Sequence, residues 1–370
     1  VIRIVVTLAL LIGTALGTYL HFAGRTVAVQ SGYRGTGSVQ MYKSATLRAG
    51  AESNAIPEAD PIDDPDPSLP PVSKKFKNVQ VLNDLTVLEF SRLMGAFSTW
   101  VAPEDGCDYC HNPDNLASDE KYTKRVARRM IQMVRHINND WKAHVAETGV
   151  TCWTCHRGRA VPTGDWYSRI DEEEDARILG NKHHAYTPGM TVNGNSALPY
   201  DPLSSYLVHD VDIRVQGTQA LAEQFPNPNS IAKTKTTYSL MIYMAKSLGV
   251  NCNYCHSTRT FANWTQSTPQ RVTAWHGIRM VRELNTDYLI PVAEQLPGYR
   301  MGPLGDGPKL ACASCHKGSF KPLAGVSMKK DYEELWRPGQ PQRDTGYVSP
   351  PNVEVHNTVV PAESLMKQTF

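Results

Sequence analysis

No cysteine in this 370-residue chain stands outside a repeated pentapeptide, no stretch gathers basic charge, and strand-like alternation is weak throughout. The first absence leaves no sulfur for a separate disulfide framework or for an acyl-anchored N-terminus. The second, with a formal charge of only +2, excludes the electrostatic footprint of a nucleic-acid binder. The third points away from a sandwich or barrel. What the chain does have is four copies of Cys-x-x-Cys-His: Cys107/Cys110/His111, Cys152/Cys155/His156, Cys252/Cys255/His256 and Cys312/Cys315/His316, which use all eight cysteines.

One such pentapeptide fits half a zinc site or a thioredoxin-like pair. Zinc needs its pairs combined into tetrahedral sets, which leaves four following histidines without a role. A histidine trailing every pair is the pattern of covalent attachment of c-type haem. Two thiols add to the haem vinyl groups and the adjacent imidazole becomes the proximal iron ligand. The expectation is therefore four covalently bound c-type haems. Their attachment chemistry takes place outside the bacterial cytoplasm, which puts the globular part in the periplasm. Hydrophobic content of 41% is modest, and four porphyrins would add apolar surface to the core.

The N-terminus fits that location. Residues 4–24 carry no formal charge and are bracketed by Arg3 and Arg25. At 1.5 Å per residue they span roughly 32 Å, the thickness of a bilayer core. Ala15, Gly17 and Ala23 are small enough to be read by a signal peptidase. The run is longer than a usual signal segment, so an uncleaved anchor over 1–25 is expected, its N-terminus cytoplasmic and His21 near the outer interface. Residues 26–74 read as an extended periplasmic linker, with a turn at 32–37 and a Pro/Asp-rich stretch at 55–72. Acidic runs at 58–66 and 171–175 read as solvated rather than as docking sites.

The body repeats itself. Met94 precedes the first motif as Met241 precedes the third, and Met133-Val-Arg-His-Ile-Asn-Asn-Asp-Trp141 aligns with Met280-Val-Arg-Glu-Leu-Asn-Thr-Asp-Tyr288, both at an offset of 147. The expected fold is a mainly α multihaem cytochrome c with extensive loops. Two pseudo-twofold related dihaem modules, 75–160 and 231–325, would be joined by a connection at 161–230 and followed by an extended Pro-rich tail at 326–370. Helices are expected over 85–100, capped by Asn83 or Asp84, and over 119–144, with Val126, Met130, Met133, Ile137 and Trp141 on one side.

Sixth ligands are sought on the helices ahead of each motif. Met94 and Met241 occupy matching places beside the first and third motifs, with Met244 as a rival to the latter. Met130 is the candidate for the second haem. Its counterpart is Gly277, so the fourth haem must find another donor, and His144, 14 residues past Met130, is the obvious one. On a continuous helix the two lie roughly 21 Å apart, too far to share an iron. The alternative is a symmetric pair, Met133 and Met280. His136, His183, His184, His209, His276 and His356 read as surface or hydrogen-bonded residues.

These motifs closely resemble the tetrahaem cytochrome subunit of purple-bacterial photosynthetic reaction centres. The likeness is carried by Gly-Tyr-Arg-Gly-Thr-Gly37, Leu-Glu-Phe-Ser-Arg-Leu-Met94, Trp141-Lys-Ala-His144-Val, Gly149-Val-Thr-Cys-Trp-Thr-Cys-His-Arg-Gly158 and Gly249-Val-Asn-Cys-Asn-Tyr-Cys-His256. The resemblance implies His111/Met94, His156/Met130, His256/Met241 and His316/His144 as axial pairs. It also implies a haem row in the order 1, 2, 4, 3, with the third nearest the bacteriochlorophyll pair. Many members of that family begin with a lipid-modified cysteine, which is missing here. The function implied is a membrane-bound electron relay and not an enzyme. Its donor would be a soluble cytochrome c or a high-potential iron–sulfur protein, and its partners the reaction-centre core subunits and light-harvesting polypeptides. The rival readings are a membrane-anchored multihaem quinol dehydrogenase and a periplasmic reductase with an open haem.

Overall fold

The computed structural model describes residues 2–22, 26–30, 39–60, 68–168, 198–199, 201–215 and 231–338. The turn expected at 32–37, most of the connection at 161–230, the acidic run at 171–175, His183, His184 and the tail from 339 onward, including His356, lie outside the described residues. Within them the architecture is mainly helical, with a single two-stranded hairpin.

Helix α1, Ile2–Phe22, is 21 residues long. It is long and apolar enough to cross a membrane. Among the described residues, the side chains of 2–20 are all exposed, Leu10 and Ile12 each at 64%, so lipid or another polypeptide is their natural cover. Beyond it the structure departs from the extended linker expected for 26–74. Strands β1, Thr26–Gln30, and β2, Val39–Lys43, pair antiparallel with Val27 opposite Tyr42. Helix α2, Ser44–Ser53, follows directly.

Helix α3, Val87–Val101, starts later than composition indicates. Its cap is Thr86, whose hydroxyl accepts from the Glu89 amide while the Glu89 carboxylate accepts from the Thr86 amide. This Thr-x-x-Glu capping box overrides the Asn83 and Asp84 signals, because it satisfies two otherwise orphaned donors at once. Helix α4, Tyr122–Asp140, is shorter than the expected 119–144. Trp141, at φ −107° and ψ 29°, breaks it, and α5, Lys142–Val145, sets off afresh with His144. The continuous helix expected between Met130 and His144 is therefore absent, and the break aims the imidazole at the second half of the chain.

Helix α6, Cys152–His156, carries the second motif. Helix α7, Ile231–Leu248, leads into the third. Helix α8, Pro269–Leu284, begins with Pro at its first turn after Thr268 and ends in a π-helical turn, Asn285–Leu289. Helix α9, Cys312–His316, carries the fourth motif.

Two cores flank α4. Met133 and Ile137 face one that includes Leu240, Ile278, Val281 and Leu284. Ile131 and Val134 face the other, with Leu93, Trp100, Tyr332 and Leu335. Between α4 and α8, residues at equivalent repeat positions touch one another. His136 bonds its counterpart Glu283 through Nε2. Trp141 donates to Glu283 at 3.1 Å, and its counterpart Tyr288 stacks on His136 with centroids 5.7 Å apart. Each helix thus offers the other the same two positions, the signature of a self-complementary contact.

Candidate functional site

Each motif is held by local geometry that recurs across the repeat. The first and third are tight turns, Gly106–Tyr109 and Cys252–Tyr254. The carbonyl of Cys107 accepts from the amides of Cys110 and His111 at 3.2 and 2.9 Å, and Cys252 does the same for Cys255 and His256 at 3.2 and 2.9 Å. The second and fourth are single α-turns. The Thr154 and Ser314 hydroxyls accept from the amides of Thr151 and Ala311 at 2.9 and 3.0 Å. After the histidine the chain turns left-handed at Arg157 (φ 51°) and Lys317 (φ 48°).

The imidazoles share one arrangement. The Nδ1 of His111 donates to the Leu116 carbonyl at 2.9 Å and that of His256 to Phe261 at 3.0 Å, each five residues on. His156 donates to Arg159 at 2.7 Å and His316 to Ser319 at 2.9 Å, each three residues on. His144 donates to the Thr273 carbonyl of α8 at 2.9 Å. A carbonyl can only accept, so all five rings carry their proton on Nδ1 and present Nε2 as a donor to a metal. Burial biases His144, His156 and His256 toward the neutral, ligating form, and burial plus the neighbouring His144 pushes His316 down to about 4. His136 differs, since both its ring nitrogens are engaged by carboxylates, Asp140 and Glu283.

The rings of His144 and His316 lie edge-on to one another, 66° between their planes, with centroids 6.1 Å apart. Two imidazoles bonded at about 2 Å to one iron between them would have centroids about 6 Å apart. The separation of the pair matches that expected of two axial histidines on one iron.

One continuous, largely apolar cavity of about 760 Å³ runs past three of the motifs. His111, His156, His144 and His316 open onto it, as do the six cysteines of the first, second and fourth motifs. Met94 on α3 and Met130 on α4 line the same space, so each shares it with the histidine to which the sequence assigns it. Met133 and Met280, the symmetric alternative, reach the cavity too, but each is only 8% exposed and packed in a core. Met241 and the third motif lie outside this cavity, although Met244, one turn beyond Met241 on α7, lines it. Burial pushes the Cys110 and Cys255 thiols up to about 11 and those of Cys152 and Cys312 up to about 12.

Cys155 and Cys315 are joined by a disulfide, their Cα atoms 4.3 Å apart, which places α6 and α9 against each other. A sulfur in a disulfide cannot also form a thioether, so the bridge and haem attachment at these two positions exclude one another. In every other respect the residues present fit the group: neutral imidazoles with a fixed tautomer, a pair at iron-bridging distance, thiols at the cavity wall and an apolar lining.

Two residues that sequence reasoning passed over hold the motifs in place. Asn138 on α4 accepts from the Val150 amide at 2.7 Å and donates to the Val150 and Leu335 carbonyls at 2.9 and 3.0 Å. Its counterpart Asn285 accepts from the Leu310 amide at 2.7 Å and donates to the Leu207 and Leu310 carbonyls, both at 2.9 Å. Val150 and Leu310 each stand two residues ahead of a motif's first cysteine. The matching asparagines were visible in the aligned repeat; their partners were not.

Residues 23–336 match the family model described as photosynthetic reaction centre cytochrome C subunit. The match begins just past α1. Among curated proteins, the photosynthetic reaction center cytochrome c subunit of Rubrivivax gelatinosus is 44% identical over 308 residues, covering 83% of each chain. Its namesake in Thermochromatium tepidum is 44% identical over 312 residues, 83% of this chain and 74% of its own. The one from Roseobacter denitrificans is 44% identical over 274 residues, 70% and 72% of the two chains.

Proposed function

The chain belongs to the photosynthetic reaction centre cytochrome c subunit family, and on that footing we propose a tetrahaem relay running from a soluble periplasmic donor to the photo-oxidised bacteriochlorophyll pair. The protein is an electron-transfer component of a photosynthetic complex, not an enzyme. Each bound haem supplies a one-electron couple whose potential depends on its axial ligands and surroundings.

The chain's own part is attachment and ligation. Four Cys pairs would tether the haems, and His111, His156, His256 and His316 would each take one axial position. Met94, Met130, Met241 and His144 would take the other. Thioether attachment at Cys155 and Cys315 requires the sulfurs now joined to be separate. The observation that carries the proposal is the five imidazoles fixed through Nδ1 to backbone carbonyls, four of them opening on one cavity that Met94 and Met130 also line. The cavity passes the first, second and fourth motifs and excludes the third, which supports a row with the third haem at one end. With every iron capped on both faces, no open position is left for the chemistry of a reductase.

Orientation has support of its own. The Tyr42 hydroxyl donates to the Gly249 carbonyl at 2.6 Å, three residues before the third motif. Its strand partner Val27 lies five residues past the end of α1, at most about 18 Å of extended chain. The third motif is thus tied close to the membrane end of the anchor, as a haem that hands electrons to pigments in the bilayer must be. We place the body in the periplasm, the N-terminus in the cytoplasm, and α1 against the reaction-centre core or light-harvesting polypeptides. The test is the native membrane complex. A flash should oxidise a haem of this subunit, and no native haem should bind carbon monoxide readily. Ready binding by one of them would favour a reductase.

A further inference from the structure

Where the first half of the repeat has Met130, the second has Gly277, in the buried middle of α8. A mid-helix glycine costs about 1 kcal/mol relative to alanine, so something else must favour it. A Cβ at this position would lie 2.5 Å from Cε1, 2.8 Å from Nδ1 and 3.1 Å from Nε2 of His144. The imidazole therefore rests on the bare backbone of α8, in the direction a side chain at 277 would take. It is fastened there by its bond to the Thr273 carbonyl, one turn back on the same helix, and its ring centroid lies 6.1 Å from that of His316.

We infer that Gly277 is the positioning residue that sets the sixth ligand of the fourth haem, its missing side chain giving His144 the place that Met130 fills beside the second. This rests on reading His144 and His316 as an axial pair. A glycine kept only for close helix packing would affect stability and leave ligation alone. The proposed role makes ligand identity follow residue 277.

The experiment compares full-length holoprotein carrying Gly277→Ala, Gly277→Met or His144→Ala with the wild type, by haem content per chain, redox titration, ferric low-spin spectra and carbon monoxide binding. Four haems per chain and three unchanged potentials establish that a variant has folded. Gly277→Ala should cost one haem in four its bis-imidazole signature and let it bind carbon monoxide. Gly277→Met should close that haem again with a thioether and shift its potential upward. A fourth haem that keeps its bis-imidazole signature and potential in both Gly277 variants overturns the inference. Should Gly277→Met not accumulate, the His144→Ala/Gly277→Met double variant has no ring to clash with. It must show a six-coordinate haem at raised potential, and a five-coordinate one overturns the inference equally. If His144→Ala alone leaves all four signatures unchanged, the axial-pair reading fails, and the role of Gly277 falls with it.

Discussion

At the scale of single residues, Met130 and Met133 sit one turn apart on α4 and must be told apart by what each loses on substitution. Met130 is only partly buried and opens on the cavity, whereas Met133 is packed in a core. Met130→Leu should leave one haem without a sixth ligand, seen as carbon monoxide binding by one haem in four. Met133→Leu is a near volume-conserving swap that should cost less than about 1.5 kcal/mol and leave every haem closed. The asparagines make a second comparison. Asn138 and Asn285 are 1% and 0% exposed and each satisfies three buried backbone groups. Leaving one buried polar group unpaired costs roughly 1–3 kcal/mol, so Asn285→Ala should lower the denaturation midpoint by the equivalent of at least about 2 kcal/mol. The tethering cysteines and proximal histidines were legible because the chemistry demands them adjacent in sequence. The carbonyls that orient the rings, and the backbone groups of Val150 and Leu310 that the two asparagines hold, belong to atoms every residue shares, so sequence carries no trace of those partners.

At the scale of elements, α4 meets α8 through the His136–Glu283 contact beside their shared apolar core. Burial opposes a charge on His136, but Glu283 and Asp140 outweigh it and its pKa is raised. A pKa raised on folding stabilises the fold fully below the unfolded value of about 6.5, and that contribution fades as pH climbs through the folded value. The stability gap between wild type and His136→Gln should therefore be widest below about pH 6.5 and narrow toward alkaline pH, as followed by denaturation midpoints across that range. A gap that widens with pH would contradict the pairing. Helices α3 and α4 were readable from apolar spacing. The break at Trp141 was not, because the apolar pattern runs straight through it. The hairpin of β1 and β2 was hidden by its brevity, two strands of five residues with Val27 and Val39 half exposed.

At the scale of the whole molecule, an apolar helix stands in front of the family-matched body and one cavity runs past three motifs. Removal of residues 1–22 should shift the subunit from the membrane to the soluble fraction while leaving its haem content unchanged, as read by fractionation and haem staining. The repeat, the motifs and the apolar N-terminal helix were all legible from sequence. The mutual contact of His136 and Glu283 across equivalent positions needed the fold, since nothing in a linear alignment says that two matching residues meet. The most direct test of the central claim is the intact mass of the purified native subunit, denatured and without reductant. A tetrahaem relay has the mass of the chain plus four haems, with Cys155 and Cys315 each in a thioether. A chain carrying fewer haems, or one in which those two sulfurs remain bonded to each other, would contradict it.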